Sequence, residues 1–319
     1  MGFIWFVQWK LLVFYAGPIA TGPMVCNAYW AVGLAAVLVG CVVPNSAPTP
    51  PPSFLAPAVT IHFINVSLGE SIWVDTSQRD LLVDGGSRYN APKLLAYLEA
   101  HNVTQLDVLS PSNHDEDHLG GLVSVLERLN ISEVWDSGST KTTQVFADYL
   151  DRAQVVPNFT FVARGDRFPL APRVWVEVQN PLQPLEFSSE NDNSVVLQLH
   201  VGAFTLLLAG DCEQACEDSI LRTGNSIQST FLKAGHHGSK TSTNEHFLDA
   251  VSPTAVFLLA GQQGYTRYGH PHSQTLRKLQ ARGIPYYTTR LNGTLILEIR
   301  QGCFTLRPQV GQTLSGCSP

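Results

Sequence analysis

The sequence is short of charge, and of positive charge in particular. Asp, Glu, Lys and Arg make up 14% of 319 residues, and 20 Lys and Arg stand against 26 Asp and Glu, a net charge of −6. No basic surplus advertises a nucleic-acid surface, so a polyanionic substrate would need positive charge supplied locally, which a bound metal can do. The chain is neither disordered nor a short disulfide scaffold: 44% of it is hydrophobic, over a length sufficient for one large domain or two small ones. It has no internal repeat, and no linker breaks the region after residue 57, so one domain is expected over 58–319.

Charge is scarcest at the start. Residues 1–43 contain one charged side chain, Lys10, and the run 24–43 has none; it approaches the roughly 20 residues needed to cross a bilayer. The run closes on Leu38-Val39-Gly40-Cys41, which resembles the lipobox of bacterial lipoproteins, where a signal peptide is cut ahead of a cysteine that is then lipidated. That resemblance implies lipidation at Cys41; the alternative is an uncleaved signal anchor. Residues 44–57 carry six prolines, which favour an extended stalk over helix or sheet. Anchor (1–43), spacer (44–57) and domain form the layout of a protein held at a bacterial cell envelope, outside the cytoplasmic membrane, as an anchored lipoprotein or in secreted form.

From Val59 the pattern turns strand-like, with VTIHFINV, ESIWVDT and DLLVDGG reading as a meander. A helix with Pro92 in its first turn follows (APKLLAYLEAH), then a strand (QLDVLS), a polar loop and a second helix (HLGGLVSVLERL). The second half repeats the alternation, with SVVLQLHV, FTLLLAGD, STFLKAG, TAVFLLAG and GTLILEI as strands and three helices between them. Strands on this scale with helices to cover them predict a layered α/β sandwich. Cys303 and Cys317 could close a C-terminal loop, and Cys212 and Cys216 could be a bridge or two buried thiols.

Chemistry concentrates at strand ends. The loop after QLDVLS places Asn113, Asp115, Asp117 and His118 within six residues, where alternating side chains can converge on a divalent cation while His118 enters from the first helical turn. Taken alone, such a loop is also what a solvated helix N-terminus looks like. Two further apolar strands end in Asp211 and in His236-His237-Gly238-Ser239, and the C-terminal ends of strands are where open α/β sheets build their sites. Lys233, His237, Ser239 and Lys240 cluster around one strand end; Arg267, Tyr268, His270 and His272 form a second polar group around the rigid Pro271.

In order along the domain, HFINVSLGES (62–71), LLVDGG (81–86), NHDEDHLGG (113–121), ENDNS (190–194), LLLAGD (206–211), LKAGHHGSKTS (232–242), YGHPH (268–272) and YTTRLNG (287–293) resemble the successive motifs of the metallo-β-lactamase fold, in its ComEC-type branch. The resemblance implies a four-layer αββα sandwich and two divalent metal ions. Carried over by position, it assigns Asn113 and Asp115 to the first ion, Asp117, His118 and His236 to the second, and Asp211 to both, with Asn193 near the first. The oxygen-rich first site would favour manganese or magnesium, and manganese or zinc suits the second. Asn113 stands where relatives more often have His, and His114 is one place out of register. Asn65-Val66-Ser67-Leu68-Gly69-Glu70 keeps the acidic end of a signature otherwise rich in Gly and Gln.

The implied activity is a metal-dependent hydrolase, a phosphodiesterase or nuclease using a metal-activated hydroxide that Asp117 orients. His237 and His270 would serve as catalytic groups, and Asn193, Lys233, Ser239, Lys240, Tyr268 and His272 would contact a phosphodiester or nucleic-acid substrate. The alternatives are hydrolysis of another ester, a lactone or a β-lactam, or a catalytically degenerate binding protein on the same scaffold. No protein partner is inferred.

Overall fold

Two stacked sheets, whose central strands are buried on both faces, account for the long apolar runs. The computed structural model describes residues 58–76 and 78–318; the expected anchor, its Cys41 and the proline stalk lie outside the described residues. The first sheet begins with β1 (Val59–Phe63), β2 (Ile72–Asp75) and β3 (Leu81–Val83), the expected antiparallel meander, and continues in parallel through β4 (Gln105–Ser110), β5 (Asn130–Asp136) and β6 (Asn158–Phe161). The second sheet runs β7 (Arg167–Ala171), β8 (Val174–Asn180), β9 (Val196–Val201), β10 (Phe204–Leu208), β11 (Phe231–Lys233), β12 (Ala255–Leu258) and β13 (Tyr286–Thr288). The chain then returns to the first sheet with β14 (Leu295–Arg300) beside β1, followed by β15 (Cys303–Pro308) and β16 (Leu314–Cys317).

Alternation sends successive residues of one strand into different cores. In β1 to β3, Ile61, Phe63, Ile72, Val74, Leu81 and Val83 face the inter-sheet core, where they meet Leu206, Leu208, Phe231 and Phe257 of the second sheet. Trp73 and Leu82 point outward, into the layer formed by α1 (Ala91–Ala100), α2 (Glu116–Arg128) and α3 (Gln144–Ala153). On the other side, Leu207, Leu232, Val256 and Leu258 face α4 (Gln214–Arg222), α5 (Glu245–Val251) and α7 (Ser273–Ala281); α6 (Gln262–Tyr268) and the short α8 (Thr289–Asn292) complete the chain. The order helix, sheet, sheet, helix is the four-layer αββα sandwich of the metallo-β-lactamase fold. Cys212 is bonded to Cys216, and Cys303, which pairs in register with Cys317 across β15 and β16, is bonded to it.

The site lies where the loops after β3, β4, β10 and β11 meet. Glycine is required at the tightest approach: a Cβ on Gly121 in the first turns of α2 would lie 1.9 Å from the Gly85 carbonyl oxygen, just after β3. Only with both glycines can α2 sit with its acidic first turn over the strand ends.

Candidate metal centre

Each ligand-bearing residue follows an apolar strand or opens a helix. Asp84 ends β3 and is wholly buried. Its carboxylate accepts the Ser112 backbone N–H (2.6 Å) and the Ser112 hydroxyl (2.7 Å), and lies 2.9 Å from His118 Nδ1. His118 Nε2 is thereby turned to Asp211 Oδ2 at 3.0 Å. A carboxylate that fixes the tautomer and direction of an imidazole is the arrangement found behind metal-bound histidines. From the other sheet, β10 delivers Asp211 and β11 delivers the two histidines.

The backbone of the His236-His237 turn decides what each imidazole does. Both residues occupy the left-handed region, with φ of 46° and 54°, a conformation that costs non-glycine residues about 1–3 kcal/mol each. It is held by the His236 N–H on the Gly210 carbonyl (3.0 Å) and the Ser239 N–H on the His236 carbonyl (2.7 Å). As a result His237 points inward, its Nδ1 3.0 Å from the Leu259 carbonyl and its Nε2 3.4 Å from Asp117 Oδ2 and 3.6 Å from Asp211 Oδ1. His236 stays at the rim, with Nδ1 2.8 Å from Glu213 Oε1 and Nε2 3.7 Å from Asp211 Oδ2. The side chain expected to act as a catalytic group thus joins the ligand cluster, and the one expected to close the metal site stands beside it.

Charge compensation among these side chains is reciprocal. Burial alone would push His118 and His237 down, yet the Asp211 carboxylate raises both, with Asp84 adding to the effect at His118 and Asp117 at His237. Burial would likewise raise Asp211 and Asp117, but the facing imidazoles hold both carboxyls well below the usual range. His270, buried nearby, is pushed down to about 3 by burial and by His237 and His236.

The donor set fits a divalent cation. Asp211 Oδ1 and His237 Nε2 are buried, face one another and have no hydrogen-bond partner among the described residues, a costly arrangement unless something else satisfies both. Asp117, His118 and His237 offer ligand atoms within 4.8 Å of one another, as do Asp211 and His237 with Glu70. Two carboxylates and two imidazoles suit zinc or manganese. A cleft of about 290 Å³, lined by Asp115, Glu116, Asp117, Asp211, His236, His237, Tyr268 and His270, opens on this cluster.

Other expected residues lie elsewhere. Asn113 Oδ1 accepts the Asp115 backbone N–H at 2.8 Å, and Asp115 itself is ion-paired with Lys141. Asn193 is pinned to the backbone of Phe187 by both ends of its amide, at 2.6 and 3.3 Å. Lys233, expected to contact substrate, is instead fully buried behind the ligands, ion-paired with Glu70, and donates to the Gly210 carbonyl at 2.7 Å, so it cannot reach a substrate. Ser239 shares a hydrogen bond with Thr241 inside the loop, and the Lys240 N–H donates to His272 Nδ1. Asp84 and Glu70 join the site from outside the residues expected there. Asp84 carried the same signal as Asp211, a carboxylate directly after an apolar strand.

His114 faces away from the cleft, wedged between Asp136 (3.0 Å) and Glu190 (3.2 Å) with the Ser139 hydroxyl at 3.0 Å. Against the effect of burial, these carboxylates raise it to about 9, while its charge holds Glu190 at about 2 although burial would raise that carboxyl. The imidazolium therefore contributes stability in full below its unfolded value of about 6.5 and loses it as pH rises through about 9; the Glu190 contribution is full above about 4.5 and lost as pH falls through about 2. We expect His114→Gln to cost about 3 kcal/mol near pH 6 and to flatten the stability profile between pH 6.5 and 9, checked by urea unfolding across that range; an equal loss at pH 6 and pH 10 would contradict the assignment.

No family model matches the sequence. ComE operon protein 3 of Bacillus subtilis is 31% identical over 222 residues, covering 67% of this chain and 28% of its own length. Competence protein ComA of Neisseria gonorrhoeae is 31% identical over 253 residues, covering 77% of this chain and 33% of its own. The chain belongs to the ComEC family. It spans about a third of the length of these curated relatives. Among solved structures, the Igni18 metallo hydrolase of Ignicoccus hospitalis aligns over 76% of this ComEC-type chain and 100% of its own, at 13% identity and a TM-score of 0.49.

Proposed function

We propose that this chain is a metal-dependent phosphodiesterase acting on nucleic acid. The observation that carries the reading is the buried quartet Asp117, His118, Asp211 and His237, with unpartnered ligand atoms turned toward an open cleft. A divalent cation held there, manganese or zinc, would polarise a phosphoryl oxygen and lower the pKa of a bound water. Asp84 holds His118 in the tautomer that leaves Nε2 free for the cation, and the Leu259 carbonyl does the same for His237 by accepting its Nδ1–H. His270, neutral at physiological pH, stands 5.3 Å (ring centroids) from His236 and can donate or accept one hydrogen bond at the cleft wall.

The rim favours nucleic acid over a small ester. Tyr265 and Tyr268, one turn apart on α6, are 43% and 46% exposed, and guanidinium groups lie over both rings, Arg290 at 3.9 Å and Arg267 at 5.2 Å. Exposed aromatic faces joined to arginine suit unstacked bases and their phosphates. The test is turnover of bis(4-nitrophenyl) phosphate and of single-stranded DNA by protein reconstituted with manganese or zinc. Turnover of both, abolished by chelation, supports the reading. Turnover of a lactone or β-lactam with neither phosphodiester cleaved refutes it.

We further infer that the N-terminal segment directs the protein to the outer side of a cytoplasmic membrane, where a lipid on Cys41 holds it; among the described residues no helix is long and apolar enough to cross one. Cys41→Ser is expected to release the protein from the detergent-extractable membrane fraction, and full retention would favour an uncleaved anchor.

A further inference from the structure

The residues assigned by position to a first metal do not assemble into a site. Asn113 is buried and its Oδ1 is committed to the Asp115 backbone N–H, a donor that only an acceptor can meet, which fixes the orientation of the amide. Its other end, Nδ2, is therefore a donor, buried and without a partner among the described residues; a donor faces anions, not cations. Asn193 spends both amide atoms on Phe187. That leaves Asp115, whose carboxylate is already ion-paired with the Lys141 ammonium, and the shared Asp211, whose two oxygens face His118 and His237.

Lys141 is placed by a built loop. It follows β5 in a segment where the Gly138 N–H donates to Asp136 Oδ1 (2.7 Å), Gln183 Nε2 donates to the Ser137 carbonyl (2.7 Å) and the Ser139 hydroxyl donates to Glu190 Oε1 (2.8 Å). Asp115, its partner, lines the same cleft as Asp117 and Asp211. We propose that the chain holds one divalent cation rather than two, and that Lys141 supplies, at the Asn113–Asp115 end of the cleft, the positive charge a second cation would bring. A phosphodiester entering the cleft exchanges with Asp115 for the Lys141 ammonium, and Asn113 Nδ2 offers a second donor at that end. The role of Lys141 toward substrate rests on the phosphodiesterase reading; the metal count does not.

The experiment titrates the full chain, stripped of metal, with Mn²⁺ by calorimetry, with elemental analysis after desalting. One equivalent is expected; two equivalents overturn the one-cation assignment. Lys141→Met should also bind one equivalent, and its KM for bis(4-nitrophenyl) phosphate should rise roughly tenfold, the usual cost of a lost charged hydrogen bond, with Lys141→Arg restoring most of it. A second equivalent taken up by either variant, or an unchanged KM in Lys141→Met, overturns the proposal. If the wild type cleaves no phosphodiester, the functional reading fails and the manganese count alone decides the one-cation assignment.

Discussion

Asp211→Ala is expected to lower divalent-metal affinity by more than about a hundredfold and to reduce phosphodiester turnover to background. Partners that merely orient a ligand typically cost 10–100-fold when removed, and Asp211 does more than orient: its two oxygens face His118 at 3.0 Å and His237 at 3.6 Å. The variant should still fold. Asp84 still faces His118 at 2.9 Å and Asp117 still faces His237 at 3.4 Å, so neither imidazole is left as an isolated buried cation. Competition with a chromophoric chelator measures the affinity and circular dichroism checks the fold. A folded variant that keeps its metal within about threefold of wild type would remove Asp211 from the ligand set.

The second large effect concerns stability. Lys233→Met strands the Glu70 carboxylate, which is 1% exposed and whose charged partner is the Lys233 ammonium. Breaking a buried pair from one side costs about 3–5 kcal/mol, and replacing both members by apolar side chains often restores it. Glu70 already sits at about 7, raised by burial and only partly drawn back by Lys233. Without the lysine it rises further, so protonation relieves the stranded charge at low pH. Above about 7 the wild type's Glu70 has lost its proton while the variant's keeps it, so the deficit should grow as pH rises past about 7 and stay level between about 4.5 and 7. Denaturant unfolding at pH 5 and pH 8 reads both features, and Lys233→Met combined with Glu70→Leu should recover most of the loss. A deficit below about 1 kcal/mol at pH 8 would mean that the pair is not a stabilising tie between the β1–β2 loop and β11.

How much of this was legible beforehand follows from which signals are local. Asp117, His118 and Asp211 were found because a carboxylate or imidazole directly after an apolar strand is a local pattern, and the sheet gathers such ends at one edge. The same rule applied to Asp84 would have found it. Choosing between His236 and His237 required the backbone: both adopt positive φ, and nothing in the pair His-His tells which ring that turn sends inward. Lys233 was unreadable for another reason. A lysine ending a strand looks like a surface residue until Glu70, from the opposite sheet, is brought against it.

The strands and helices show the same division. The meander β1 to β3 and the strands of the second half are apolar on both faces and stood out as runs. The stretch holding β5, α3, β6, β7 and β8 did not, because β6 is an edge strand with exposed or half-buried residues throughout and β7 opens on exposed Arg167. Lys141, which carries the last inference, lies in that stretch, and its pairing with Asp115 depends on how β5 ends beside the α2 N-terminus.

The most direct measurement is the anomalous difference map of a crystal soaked in manganese. The account expects one strong peak within roughly 2.0–2.3 Å of donor atoms of Asp117, His118, Asp211 and His237. An empty map at those four side chains, or a peak instead between Asn113 and Asp115, would contradict it.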